Sequence, residues 1–214
     1  VEFFDVADDG TAVGASFMDR QDGDAVILIG DNLVKIDFSE LSINLGMSCA
    51  TGITPDGTYV VGWFWEYDIE NSYFAQQYGA VIPFCYDVLK DRVTVPVEGE
   101  RIYNENAATA IKAVAPDRTL LGYQQSQGIH SIIWADENTP YEYVHFEYND
   151  EYEPLFSLGD TQNLLSQSGR YIYGKAIDYA NGQAVLSAAY DRENKRLYTF
   201  PGGSVTAMSD QGLV

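Results

Sequence analysis

The chain has 214 residues, of which 32 are acidic and 12 basic, giving a formal charge of −20; this opposes binding to nucleic acid or to an anionic membrane, and no basic patch offsets it. No stretch approaches the roughly 18 apolar residues of a membrane-spanning helix, which argues against membrane insertion. Nineteen glycines with 16 tyrosines and 10 phenylalanines suit a chain of many short strands and turns, long enough for one sizeable core.

Taken in order, the chain repeats itself. Residues 6–14, 53–62, 114–122 and 165–174 each read as strand, tight turn, strand, and 208–214 begins a fifth copy. The clearest copy is Ile53-Thr54-Pro55-Asp56-Gly57-Thr58-Tyr59-Val60-Val61-Gly62. In its turn Pro presets φ, Asp bonds its own backbone, and Gly tolerates φ > 0. The turn positions Gly10, Gly57, Arg118, Gly169 and Gly212 set a period of about fifty residues with insertions. Arg118 departs from the pattern by replacing the glycine, and Ser168 by replacing the aspartate.

Each copy has a second half. A short apolar run (25–28, 80–82, 131–134, 184–186) follows a glycine, and a further strand-like segment (33–36, 92–95, 141–144, 196–199) comes after it. Four short antiparallel strands per repeat, here lettered A to D from inside out, are the sequence form of an all-β propeller. The expected repeats are about 1–38, 39–96, 97–146 and 147–203, with 204–214 a partial fifth, all in one domain. No segment carries a capped helical period, so almost no helix is expected.

The runs "ATGITPDGTYVVGW…GAVIPF" and "ATAIKAVAPDRTLLGY…HSIIW" resemble the HAF-type repeats of bacterial secreted proteins. They are also similar to the "SPDG" repeats of TolB-like and WD40-like propellers. The resemblance covers nearly the whole chain. It implies a secreted, periplasmic or cell-surface propeller and no particular chemistry.

Several local features bear on function. In repeat one, Asp19, Asp22 and Asp24 surround Gly23, but without EF-hand spacing they read as an acidic hairpin tip. Cys49 and Cys85 fall on strands A and C of one repeat, about 9–10 Å apart, too far for a disulfide, so two buried free thiols are expected. Repeat two has the longest B–C connection, an aromatic insertion after Trp63 and Trp65. His130 and His145 lie on different strands, and no nucleophile, zinc or phosphate-loop motif accompanies them. No catalytic residue, metal ligand or cofactor is therefore assigned. Repeat four opens on an acidic connector, 147–154, that alternates with tyrosine.

In a propeller the B–C and D–A connections emerge on one face and the A–B and C–D turns on the other. The long connections here share the first face. Tyr67, Tyr73, Phe74, Tyr103, Tyr148 and Tyr152 are expected to form an aromatic rim there, with Asp68, Glu70, Glu105, Asp150 and Glu151 as hydrogen-bond acceptors. The expected function is recognition of carbohydrate or protein by a secreted or cell-surface binding module. The alternatives are a hydrolase or lyase using loop carboxylates and a purely structural scaffold. Both ends of the sequence read as A–B pairs, so further chain, or intermolecular sheet pairing at one terminus, is expected to cover the unpaired edges.

Overall fold

The computed structural model describes residues 1–17, 23–67, 79–97, 108–125, 129–148, 154–158, 164–178, 182, 184–200, 205 and 208–211, with side chains for all of these but 79, 129, 145–148 and 154–158. The architecture starts from the turns. In four of them one N–H closes on the carbonyl three residues back: Gly10 on Ala7 (3.0 Å), Gly57 on Thr54 (2.9 Å), Arg118 on Ala115 (2.9 Å) and Gly169 on Ser166 (2.8 Å). All four closing residues have positive φ, at 87°, 71°, 67° and 76°. Arg118 thus takes the glycine conformation. In the first three turns an aspartate locks the bend: Asp9, Asp56 and Asp117 accept from the backbone N–H two residues on, at 2.8, 3.1 and 3.0 Å. Ser168 does the same through its hydroxyl at 3.3 Å.

These turns join strands into blades. The first blade is β1 (Glu2–Val6), β2 (Ala12–Phe17), β3 (Gly23–Ile29) and β4 (Asn32–Lys35), paired in sequence order. A single 3-10 turn, Ser39–Leu41, precedes the second: β5 (Leu45–Ile53), β6 (Tyr59–Tyr67), β7 (Gly79–Asp87) and β8 (Arg92–Thr94). The third is β9 (Ala108–Val114), β10 (Leu120–Gln125), β11 (Ile129–Trp134) and β12 (Glu142–Tyr143), joined to the second by one parallel bridge, Val81 to Ala108. All pairing within these blades is antiparallel, as the repeat predicts for an all-β propeller-like array.

The fourth blade differs from expectation. Its acidic connector is flanked by paired strands, because β13 (His145–Tyr148) and β14 (Pro154–Leu158) form a hairpin. β14 pairs with the far half of β16 (Tyr171–Asp178), and β15 (Leu164–Leu165) pairs with the near half. Two short segments therefore share the inner-strand position. The apolar run Leu155-Phe156-Ser157-Leu158 supplies a strand that the acidic residues before it conceal. β17 (Ala184–Asp191) and β18 (Arg196–Phe200) complete the sheet.

The core consists of layers between blades. Val13 and Ile27 meet Ile53, Val60, Phe64 and Phe84 between blades one and two, with Phe38 packed edge-on against Phe64 and Phe84 at 5.4 and 5.0 Å. Val61 meets Ile111, Leu120 and Trp134 in the second layer, and Leu121 meets Ile172 and Ala188 in the third. Val205 and Met208 cover Tyr173 and Ala189 on the outer side of the fourth blade. There Asp210, the aspartate of the fifth repeat's turn, accepts from the Ser168 N–H (3.0 Å) and hydroxyl (2.6 Å).

The repeat glycines Gly14, Gly62 and Gly122 are equivalent. An added Cβ would lie 1.9, 2.1 and 2.2 Å from the carbonyl oxygens of Glu2, Cys49 and Ala110 on the adjoining inner strand. Beside each glycine the inner strand carries a β-bulge, which leaves Phe4, Thr51 and Lys112 out of the ladder. Of the residues before the turns, the repeat predicts burial for Val6, Ile53, Val114, Leu165 and Met208; Ile53 and Val114 are buried, while Leu165 and Met208 are half-buried. Val6 is 62% exposed instead, because no sheet packs on that side of the first blade among the described residues. Cys49 and Cys85 are free and buried, and desolvation pushes their thiols up to about 11 and about 12.

Candidate functional site

β6 builds the part of the aromatic rim that is described. Its alternation sends Phe64 and Glu66 into the first layer side and Trp63, Trp65 and Tyr67 to the other. Those three rings are half-buried and run along the side facing the third blade, towards the end where the B–C connection leaves. Gly46 lies beneath them: a Cβ there would meet Tyr67 Cε2 at 2.8 Å and Trp65 Cδ1 at 3.1 Å. The Tyr67 N–H donates to the Asn44 carbonyl at 3.0 Å, which fixes the strand end. Tyr148 ends β13 opposite Pro154. Asp68, Glu70, Tyr73, Phe74, Tyr103, Glu105, Asp150, Glu151 and Tyr152 lie outside the described residues, as do Asp19 and Asp22. Asp24 forms an ion pair with Lys35. His130 packs edge-on against Tyr143 at 5.7 Å. Among the described residues no cluster of His, Cys, Asp and Glu has the makings of a metal site.

Two clefts lie at the opposite, turn-bearing face. One, of about 310 Å³, is the mouth of the central channel, where the inner strands of all four blades converge. The three bulged residues Phe4, Thr51 and Lys112 all line it, together with Asp5 and Tyr173. Desolvation raises the Asp5 carboxyl above the usual range, while the Ile53 N–H (3.0 Å) and the Val6 N–H (2.9 Å) donate to it and pull it back. Burial, and then the Asp5 charge, raise the Tyr173 phenol. The Lys112 ammonium sits 5.9 Å from the Tyr123 ring centroid, and the Thr51 hydroxyl donates to the Ile111 carbonyl at 2.7 Å.

The other cleft, of about 400 Å³, opens between the third and fourth blades and is lined in part by Glu142, Tyr143, Tyr190, Arg192 and Lys195. None of these was a sequence-based candidate. The available signal was local: Arg192, Lys195 and Arg196 place three of 12 basic residues within five positions of a strongly acidic chain.

The sequence matches no protein-family profile and no curated protein. Among solved structures, the fold is similar to TolB from Acinetobacter baumannii, with a TM-score of 0.58 at 13% identity over 99% of this chain and 46% of that one. It is also similar to a puromycin hydrolase, with a TM-score of 0.53 at 11% identity over 94% of this chain and 28% of that one. The chain thus spans less than half the length of either, and at these identities the likeness is one of fold.

Proposed function

We propose that this chain is a binding module on a propeller scaffold, secreted or displayed at a cell surface, which recognises a neutral glycan or a basic peptide on the face where the long connections leave the blades. The observation that carries this reading is the strip Trp63, Trp65 and Tyr67, three half-buried rings on one side of a single strand. Half-exposed rings at the end of a rigid strand offer flat apolar faces to sugar rings or peptide side chains. The charge of −20 disfavours anionic ligands and favours cationic or neutral ones. Within this reading Tyr73, Tyr103, Tyr148 and Tyr152 extend the platform and the neighbouring carboxylates accept hydrogen bonds.

A glycan array and a basic-peptide screen test the proposal. Trp65→Ala, Tyr67→Ala, Tyr73→Ala and Tyr152→Ala should each weaken the best ligand, the central positions by about tenfold or more. Binding that is unchanged in all four variants, or a glycan or basic peptide from these screens that maps to the turn-bearing face, overturns it.

A further inference from the structure

We propose that the cleft between the third and fourth blades is a second binding site, for an apolar molecule that ends in a free carboxylate. It lies on the face opposite the aromatic strip, and the proposal stands independently of that reading.

Arg192 is the anchor. Its side chain is half-buried, and its guanidinium is already oriented: Nη1 donates to the Gly169 carbonyl at 2.6 Å and Nη2 to Thr119 Oγ1 at 3.2 Å. A guanidinium has five N–H donors, so donors remain for a ligand, and their fork matches a planar carboxylate. Because the Arg192 side chain is held before any ligand arrives, little ordering cost remains. Lys195 stands exposed at the rim of the same cleft and adds a second positive charge.

Apart from Thr119, Thr139 and Glu142, the rest of the lining is apolar or phenolic. Ile172 is fully buried and Val144 is 6% exposed, so they make a dry floor. Tyr143 and Tyr190 supply ring walls, and the Tyr143 hydroxyl donates to Gln124, which fixes its orientation. Tyr190 and Arg192 line the same cleft; burial raises the Tyr190 phenol, the Arg192 charge lowers it and the Asp191 charge raises it. The volume of about 400 Å³ suits a ligand with one large side chain.

Glu142 at the rim sharpens the assignment. One carboxylate against two cations leaves the cleft with a single positive charge. A monoanion matches that balance, whereas a phosphate dianion meets both Glu142 and the acidic surface beyond. The shared chemistry, an apolar group beside a free carboxylate, occurs in small organic acids and at the C-terminus of a peptide.

The test measures binding of three probes to the whole chain by calorimetry and protein-observed NMR. They are N-acetyl-L-phenylalanine, its carboxamide, and an acetylated hexapeptide ending in a free phenylalanine carboxylate. The acid should bind saturably with a Kd of about a millimolar, and the carboxamide about tenfold more weakly. Lys195→Glu, at an exposed position, should keep the fold and weaken the acid by about tenfold. Arg192→Gln should do the same, with its folding verified by NMR. A peptide that binds more tightly than the small acid identifies a protein C-terminus as the occupant, and equal affinities identify a small acid. Equal binding of acid and carboxamide, wild-type affinity in Lys195→Glu, or no saturable binding overturns the proposal.

Discussion

Arg118 shows how a side chain compensates for a backbone it does not suit. A non-glycine residue at φ 67° costs about 1–2 kcal/mol. The guanidinium offsets this by lying 4.5 Å from the centroid of the Tyr59 ring and 3.8 Å from the Asp87 carboxylate, both on the second blade. Arg118→Ala keeps the strained backbone and loses both contacts, whereas Arg118→Gly loses the contacts but removes the strain. The glycine variant should therefore be the more stable of the two by about 1 kcal/mol in denaturant melts. An alanine variant as stable as the glycine variant would contradict a left-handed residue at 118. Asp191 is the second telling residue. Its carboxylate is 1% exposed, and Arg170 holds it from two sides, at 3.2 and 2.7 Å, while the Asn194 side chain donates at 2.8 Å. The Arg170 hydrogen bond, reinforced by Asn194, holds its pKa far below the ordinary carboxylate value despite desolvation. A depressed folded pKa means that the stabilisation is complete above the unfolded value, about 3.9, and fades as pH falls through the folded value. Asp191→Asn should melt several degrees below wild type above about pH 4, and the gap should shrink at lower pH. A gap that stays constant to the acid end would refute that account.

At the scale of the element, the period was legible because it rests on local chemistry. Pro, Asp and Gly mark the turns, and Gly14, Gly62 and Gly122 mark sites where a neighbouring carbonyl leaves no room for a Cβ. The departures at 118 and 168 were visible too. Their compensations were not, because Tyr59, Asp87 and Asp210 are brought near only by the stacking of blades. The hairpin of β13 and β14 was missed for another reason. Composition around 147–154 is that of a solvated loop, and only pairing with Ile177 and Asp178 on β16 discloses the inner-strand role of 154–158. Intrinsic preference is a weak guide to a strand whose stability comes from its neighbour.

For the molecule as a whole, the layers between blades explain what could be read of the candidate sites. Strand alternation alone places Trp63, Trp65 and Tyr67 on one side of β6. The cleft holding Arg192 is lined by residues of both the third and the fourth blade, and no single segment encodes it. The same architecture gathers 32 carboxylates against 12 cations on one compact body. Self-repulsion at that charge opposes compactness, and surface ion pairs among the described residues, such as Lys90 with Asp87, offset little of it. Added salt screens the repulsion. Raising sodium chloride from about 10 mM to about 300 mM, where the screening length falls from roughly 30 to under 10 Å, should raise the melting temperature. A fall over that range would show that favourable ion pairs outweigh the net charge.

The inner-strand bulges have a consequence for how such a chain can change. Ala50 and Ile53 share one layer, and so do Ile111 and Val114, although an odd separation should turn them to opposite sides. The extra residue at 51 or 112 restores the frame. Deleting it would turn everything beyond it inside out, so the chain tolerates no shortening there. The identity of that residue is another matter: phenylalanine, threonine and lysine occupy the position in successive blades, each facing the axial cavity and belonging to neither layer. Length is constrained and chemistry is left open, so the lining of the axis can be rewritten one blade at a time without disturbing what holds the blades together.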